Sequence, residues 1–130
     1  MKILLFTLSF FFSLISFSSQ TLADCTKILF GINGFNEFYI DLSKIRKHQG
    51  YSYYWELISN YPPNKHGLSS SIAYYKVDCN VFKAKQLNSN FYSGEMGTGN
   101  IILETFEEKK WRYPQPNTNL EKSLKVVCNN

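Results

Sequence analysis

Alternation of polar and apolar residues is the clearest pattern in this chain, and it predicts a protein built mainly from β-strands. In residues 73–80 (AYYKVDCN), Ala73, Tyr75, Val77 and Cys79 occupy every second position. This period is typical of a strand with one covered face and one solvated face. The Cys79 thiol is therefore expected to point inward, toward another element laid over the sheet.

Five further segments show features of strands. The predicted strands cover residues 26–32, 37–42, 51–61, 82–92 and 100–107. Asn33-Gly34 predicts a hairpin turn, and Pro62-Pro63 ends the aromatic strand that begins at Tyr51. In the strand over residues 82–92, Lys83 and Lys85 lie on the side opposite to Ala84 and Gln86. Together these segments predict a single antiparallel sheet of about six strands.

The C-terminal segment has the period of a helix instead. Thr118 and Glu121 fit a capping box at the helix start, and the apolar residues that follow fall on one stripe. The stripe consists of Leu120, Leu124, Val127 and Cys128. A helix of about ten residues is marginal alone, so the stripe is expected to pack on the sheet. The fold class is therefore α+β, mainly β.

This packing would bring two cysteines together. The helical stripe carries Cys128 toward the covered face, where Cys79 points inward, so we expect a disulfide between them. Cys25 is then left without a cysteine partner in the monomer. It could stay free, cross-link two molecules or carry a lipid, but Asp24 precedes it where lipidation signals have a small neutral residue.

The N-terminal 23 residues have the composition of a signal peptide. Met1-Lys2 gives a positive start, residues 3–17 are largely apolar, and Thr21-Leu22-Ala23 suits cleavage after Ala23. We therefore expect residues 24–130 to form one exported domain. No later segment is apolar enough to predict a transmembrane span. Removal of Lys2 lowers the formal net charge from +4 to +3, which is too mild to indicate one class of partner.

The chain offers little catalytic chemistry. His48 and His66 fall in predicted loops without an Asp or Cys partner at informative spacing, and no metal-ligand cluster or cofactor motif is present. The cationic segment 41–50 is interpreted as a solvated connection, with a docking patch as the alternative. The glycine-rich residues 93–99 are interpreted as a bulge or wide turn, because a phosphate-binding loop would precede a helix. The aromatic strand lacks an interleaved basic groove, so no nucleic-acid partner is expected.

The order of several short motifs resembles the surface-adhesin protein E family of Gram-negative bacteria. These motifs are Val77-Asp78-Cys79, Phe91-Tyr92-Ser93-Gly94 with Met96-Gly97 and Gly99, Trp111-Arg112-Tyr113-Pro114, and Val127-Cys128. The resemblance implies an antiparallel sheet with a disulfide-tethered C-terminal helix. It also implies an exported, non-catalytic adhesin that binds host extracellular-matrix proteins. The alternative is a periplasmic binding or envelope-assembly module without a host ligand.

A candidate binding surface follows from the strand alternation. If the helix covers the face carrying Tyr75 and Val77, the opposite face presents Tyr74 and Lys76, and the next strand adds Lys83 or Lys85. Aromatic rings with lysines suit an acidic or sulfated partner, the rings through buried area and the lysines through steering. A solvated sheet face and a homodimer contact are the alternatives.

Overall fold

The computed structural model describes residues 25–30, 36–60 and 62–130, with residues 25–30 described in their backbone alone. One antiparallel sheet and one C-terminal helix make up this part of the chain. The sheet has six strands along its main path, and a short seventh strand pairs with the start of one of them. The predicted fold class is confirmed. The signal peptide, the Asn33-Gly34 turn and the state of the Cys25 thiol lie outside the described residues.

The strand bounds agree with the sequence pattern to within a few residues. The strands are β1 (Cys25–Phe30), β2 (Asn36–Asp41), β3 (Arg46–His48), β4 (Tyr51–Asn60), β5 (Ser70–Asp78), β6 (Lys83–Tyr92) and β7 (Ile101–Thr105), and the helix is α1 (Asn119–Cys128). The order along the main path is β1-β2-β4-β5-β6-β7, so that with β3 left aside each strand pairs with the next one along the chain. The main path is therefore a meander, which needs only local reversals.

Strand β3 is a structural element that the sequence pattern does not predict. A single 3-10 turn, Leu42–Lys44, follows β2, and the three exposed residues of β3 then pair with the start of β4. Gln49 and Gly50 join the two strands with positive φ angles of 49° and 80°. Both central residues of a two-residue type I′ hairpin turn require positive φ. The cationic segment 41–50 is thus partly a hairpin.

The hydrophobic core lies between α1 and one face of the sheet, which we call the helix face. Leu124 and Val127 of the helix are fully buried against Ile40, Tyr54 and Val77 of the strands. Leu120 and Cys128 are partly buried at the border of this core. The predicted orientation of the helix is therefore correct, with Leu120 less covered than expected.

The start of α1 has the chemistry that the sequence predicts, with one difference. The Glu121 N–H donates to the Thr118 hydroxyl at 3.3 Å, as in a capping box. The Glu121 carboxylate accepts a hydrogen bond from the Asn117 N–H at 2.8 Å, one residue before the expected partner. Glu121 also pairs with Lys125 at 2.7 Å, which supports the exposed side of the helix.

A disulfide joins the end of β5 to the end of α1. The sulfur atoms of Cys79 and Cys128 are 2.06 Å apart, and the Cα atoms are 5.6 Å apart. This separation is typical of disulfides in proteins. The predicted pairing is confirmed, and it closes a loop with a sequence separation of 49 residues.

A carboxyl group is buried beneath the helix. Glu56 is 5% exposed, and its Oε2 atom accepts a hydrogen bond of 2.6 Å from the Ser123 hydroxyl. Burial raises the pKa of Glu56, and the Ser123 hydrogen bond and the Arg112 guanidinium partly oppose the rise. The nearby Tyr54 hydroxyl is buried and has no hydrogen-bond partner among the described residues. The core therefore contains polar groups that apolar packing alone would not require.

Glu56→Gln is expected to raise the midpoint of thermal unfolding at pH 7 and to change it little near about pH 3.5. Because the folded pKa of Glu56 lies above the ordinary value of 4.5, ionising this carboxyl group destabilises the folded protein as pH rises. Glutamine stays neutral and keeps an oxygen that can accept from Ser123. Thermal melts of both proteins at the two pH values test this, and equal destabilisation by Gln at both would contradict it.

Candidate functional site

The face of the sheet opposite to α1, which we call the open face, has no α-helix over it among the described residues. The alternation along β4 and β5 sends Tyr54, Tyr75 and Val77 into the core and leaves Trp55 and Tyr74 on the other side. Trp55 and Tyr74 are Cα partners across the two strands. Large aromatic side chains therefore line both faces of the sheet, and only one of those faces contributes to the main core.

All four residues predicted to form a binding surface lie on the open face. Tyr74 and Lys76 are two residues apart on β5, and Lys83 and Lys85 hold the same relation on β6. Lys76 and Lys85 are direct Cα partners, and Asp78 is the partner of Lys83. The structure thus brings these residues onto one surface, as the sequence pattern predicts.

Aromatic rings link these residues into a continuous row along β4 and β5. The Trp55 and Tyr74 ring centroids are 4.4 Å apart, and the Tyr74 and Tyr53 centroids are 6.0 Å apart. The Lys76 ammonium lies 3.9 Å from the Tyr51 centroid and 5.8 Å from the Tyr53 centroid. We use the name aromatic-lysine row for these residues together with three more at one end: Tyr51, Tyr53, Trp55, Tyr74 and Lys76, with Trp111, Lys83 and Lys85.

Trp111 closes one end of the row from outside the named strands. Its chain segment runs beside β6, where Arg112 forms an isolated antiparallel bridge with Ala84. The Trp111 ring stacks on Tyr51 with centroids 5.9 Å apart. The Lys83 and Lys85 ammonium groups lie 4.9 Å and 5.0 Å from the Trp111 centroid. One indole ring therefore joins the aromatic part of the row to two lysines.

The row keeps a net positive charge, because its three lysines outnumber the neighbouring carboxylates of Glu108 and Asp78. Lys85 pairs with Glu108, whereas Lys76 and Lys83 form no ion pair with any described residue. The Asp78 carboxylate accepts hydrogen bonds from the backbone N–H groups of Asn80 and Val81, at 3.1 Å and 3.4 Å. It therefore serves the turn between β5 and β6. The open face carries a net positive charge along the row.

The glycine-rich residues 93–100 cover the other end of the open face. A 3-10 turn, Glu95–Gly97, lies over Leu57 and Ile72, and the Gly97 N–H donates to the Ser70 hydroxyl at 2.8 Å. Gly97 has a φ of +73°, and a Cβ atom there would approach the Ile72 side chain to 2.8 Å. The segment is thus the wide turn that the sequence predicts, packed against the sheet.

Four aromatic members of the row were not among the residues predicted from sequence. Tyr51, Tyr53 and Trp55 share one face by simple alternation, but only the register with β5 shows that this face is the one carrying Tyr74 and Lys76. Trp111 reaches the row through a crossing segment whose path no local pattern specifies. The alternation along β4, combined with a correct strand pairing, would have identified the first three.

The histidines and the candidate metal ligands form no cluster in the part of the chain that the structure describes. No group of three or more His, Cys, Asp or Glu side chains there is arranged to hold a metal ion. His48 borders an open depression of about 360 Å³ beside the disulfide, whose lining includes no carboxylate. His66 lies in the exposed loop between β4 and β5, where its backbone N–H donates to the Asn64 Oδ1 atom. No described helix is both long and apolar enough to cross a membrane.

The fold and the row define a small single-sheet domain with a tethered helix on one face and an aromatic, positively charged surface on the other. The model of the family described as surface-adhesin protein E matches residues 28–129. The chain therefore belongs to the surface-adhesin protein E family, and the predicted resemblance is confirmed.

Solved structures of Haemophilus influenzae protein E have the same fold. Crystal form II of that protein superposes with a TM-score of 0.64 at 17% sequence identity, covering 84% of this chain and 90% of the other. The selenomethionine form gives a TM-score of 0.62 at 18% identity, covering 85% and 89%. No match was found among curated protein sequences. At these identities the structural likeness is evidence for the fold alone.

Proposed function

We propose that this protein is an exported, non-catalytic surface adhesin that binds host extracellular-matrix proteins through the open face of its sheet. Membership of the surface-adhesin protein E family supports the adhesin class. The aromatic-lysine row is the observation that supports placing the binding surface on the open face. Its rings and lysines contribute nothing to the core beneath α1, so packing against the helix does not account for their concentration there.

Charge and shape support the open face over the helix face. The helix face is filled by Leu124 and Val127, whereas the open face presents rings that are partly exposed, including Trp55 at 39%. Interface hot spots are enriched in Trp, Tyr and Arg, and surface lysines accelerate association with acidic partners. The row combines anchoring rings and steering charges in one place.

The purified protein is expected to bind immobilised matrix proteins, and Tyr74→Ala with Lys76→Ala is expected to weaken that binding at least about tenfold. Removing Tyr74 breaks the ring row between Trp55 and Tyr53, and removing Lys76 deletes an unpaired charge. Binding is measured at low and high salt, because salt weakens the steering by lysines. Unchanged affinity in a folded double variant would move the binding site elsewhere.

A periplasmic binding or envelope-assembly module is the second candidate function. The same surface would then hold a partner inside the envelope, and host matrix proteins would not bind. Exposure on intact cells separates the two candidates. Failure of the wild-type protein to bind any matrix protein would favour the periplasmic module.

The edge strand β7 supports a second copy of the chain as a further partner. Ile101, Ile102 and Leu103 are each about half exposed, and Phe106 just beyond is 77% exposed. β7 ends the main path of the sheet, so its outer backbone groups have no strand partner within the described sheet. Antiparallel pairing of two copies about Leu103 would be self-complementary and would cover these side chains.

Sedimentation over a range of protein concentrations tests this homodimer. The wild type is expected to shift toward twice the monomer mass, and Ile102→Lys is expected to remain a monomer because it places a charge in the contact. Lys65→Glu is the control, because it changes an exposed loop away from β7 and should leave association intact. A wild-type monomer at every concentration would contradict the proposal.

A further inference from the structure

Several rings of the aromatic-lysine row lie beside a neighbouring ring or beneath a lysine. Interplanar angles are 27° for Trp55 with Tyr74 and 28° for both Tyr53 with Tyr74 and Tyr51 with Trp111. Lys76 lies over the Tyr51 face, and Lys83 lies near Trp111. The face of an aromatic ring is electron-rich and its edge is electron-poor. Where a ring face is occupied in this way, the electron-poor edge of the ring is left for a ligand, which favours an anion.

The arrangement of the lysines also favours an anionic ligand. Lys76 and Lys85 are Cα partners on one face of adjacent antiparallel strands. Like charges placed directly opposite each other destabilise a sheet. Glu108 pairs with Lys85 alone, so the repulsion is only partly relieved within the described chain. An anionic ligand over Lys76, Lys83 and Lys85 would remove it.

The shape of the row favours one linear chain as the ligand. From Tyr51 to Trp55 the row is about 13 Å long, and it crosses β4, β5 and β6, a width of about 15 Å. This strip has an area on the order of 200 Å², against roughly 800 Å² per partner in a standard protein interface. The glycine-rich turn at one end and Trp111 at the other limit it further. A narrow strip of fixed cations suits an extended polyanion.

We propose that the aromatic-lysine row binds the sulfated glycosaminoglycan chains of the matrix, with Lys76, Lys83 and Lys85 contacting sulfate groups. This inference rests on the proposed adhesin function and specifies the chemical group that the adhesin recognises. Sulfates stay ionised at every physiological pH and recur along an extended sugar chain. A single-stranded nucleic acid fits less well, because lysines already lie over the Tyr51 and Trp111 rings, on which its bases would stack. An acidic peptide is the competing polyanion.

The test measures binding of the purified protein to immobilised heparin, with desulfated heparin, hyaluronan, poly-glutamate and a single-stranded oligonucleotide as competitors. Lys76→Gln, Lys83→Gln and Lys85→Gln together are expected to weaken heparin binding at least about tenfold. The control triple Lys47→Gln, Lys65→Gln and Lys122→Gln removes the same charge from exposed sites off the row. It should change the affinity by less than about threefold, and thermal melts verify that both triples are folded.

Heparin binding that requires sulfate and the row lysines supports the proposal. It is overturned if desulfated heparin or hyaluronan competes as well as heparin, if poly-glutamate or the oligonucleotide competes better, or if the control triple loses as much affinity. If heparin does not bind while matrix proteins do, the glycan inference fails and the adhesin function stands. If neither binds, the proposed function fails as well.

Discussion

Replacing both Cys79 and Cys128 by serine is expected to lower the free energy of unfolding by roughly 4 kcal/mol. The disulfide closes a loop with a sequence separation of 49 residues and thereby restricts the unfolded chain. Small domains are stable by only about 5 to 15 kcal/mol, so this loss is a large share of the stability of the fold. Urea denaturation, followed by the fluorescence of the tryptophans, gives the free energies of both proteins.

The control for this experiment is a reducing agent. All proteins carry Cys25→Ser, which prevents thiol exchange between molecules. Reduction should destabilise the protein that retains Cys79 and Cys128 by about the same amount as the double substitution. It should leave the Cys79→Ser, Cys128→Ser protein unchanged. A loss below about 1 kcal/mol on reduction would mean that packing alone holds the helix in place.

Leu124→Ala is expected to lower the free energy of unfolding by about 2 to 5 kcal/mol. Leu124 is fully buried and contacts the core between α1 and the helix face of the sheet. Truncation removes buried methyl groups and leaves a cavity, which the surrounding side chains can fill only partly. The free energy is again measured by urea denaturation, in the protein with its disulfide intact.

Lys122→Ala is the matched control, because it changes the same helix at a position exposed to solvent. Alanine is a good helix former, so the free energy of unfolding should change by less than about 0.5 kcal/mol. Losses of similar size in the two variants would show that the helix does not pack through Leu124. The orientation of α1 would then need to be revised.

The stabilising interactions of this fold are concentrated on one face of the sheet. The disulfide, Leu124 and Val127 all secure the helix to the helix face. The open face contributes to stability through the glycine-rich turn over Leu57 and Ile72, at one end. The remaining part of the open face is therefore free to carry a charged, aromatic surface without weakening the core.

Local patterns in the sequence predict most of this architecture. The alternation around Cys79 and the helical stripe that ends at Cys128 each depend on neighbouring residues alone, and together they identify the disulfide. The strands follow each other in a meander, so consecutive segments pair without long crossovers. A fold of this kind can be predicted from sequence, because most of its strand pairs join segments that are neighbours along the chain.

The elements that sequence reasoning misses are those fixed by tertiary contacts. Strand β3 is three exposed residues long, and it exists because its backbone pairs with β4 through the Gln49-Gly50 turn. The burial of Glu56 is likewise invisible, since both faces of β4 carry aromatic residues and alternation cannot decide which face the helix covers. Only the position of α1 settles that choice.

Only part of the candidate site could be predicted from sequence, because the rest of it depends on tertiary contacts. Tyr74, Lys76, Lys83 and Lys85 follow from alternation on two adjacent strands joined by a tight reversal. Tyr51, Tyr53 and Trp55 require the register between β4 and β5, and Trp111 requires the path of the segment that crosses beside β6. Sequence alone identified the cations of the row and omitted most of its rings.

The location of the protein on intact cells is the most direct test of the proposed adhesin. Protease is added to intact cells and, in parallel, to cells with a permeabilised outer membrane, with a known periplasmic protein as the control. A surface adhesin is expected to be cleaved in both samples while the periplasmic control is cleaved only after permeabilisation. Protection in intact cells together with cleavage after permeabilisation would contradict the adhesin and support the periplasmic module.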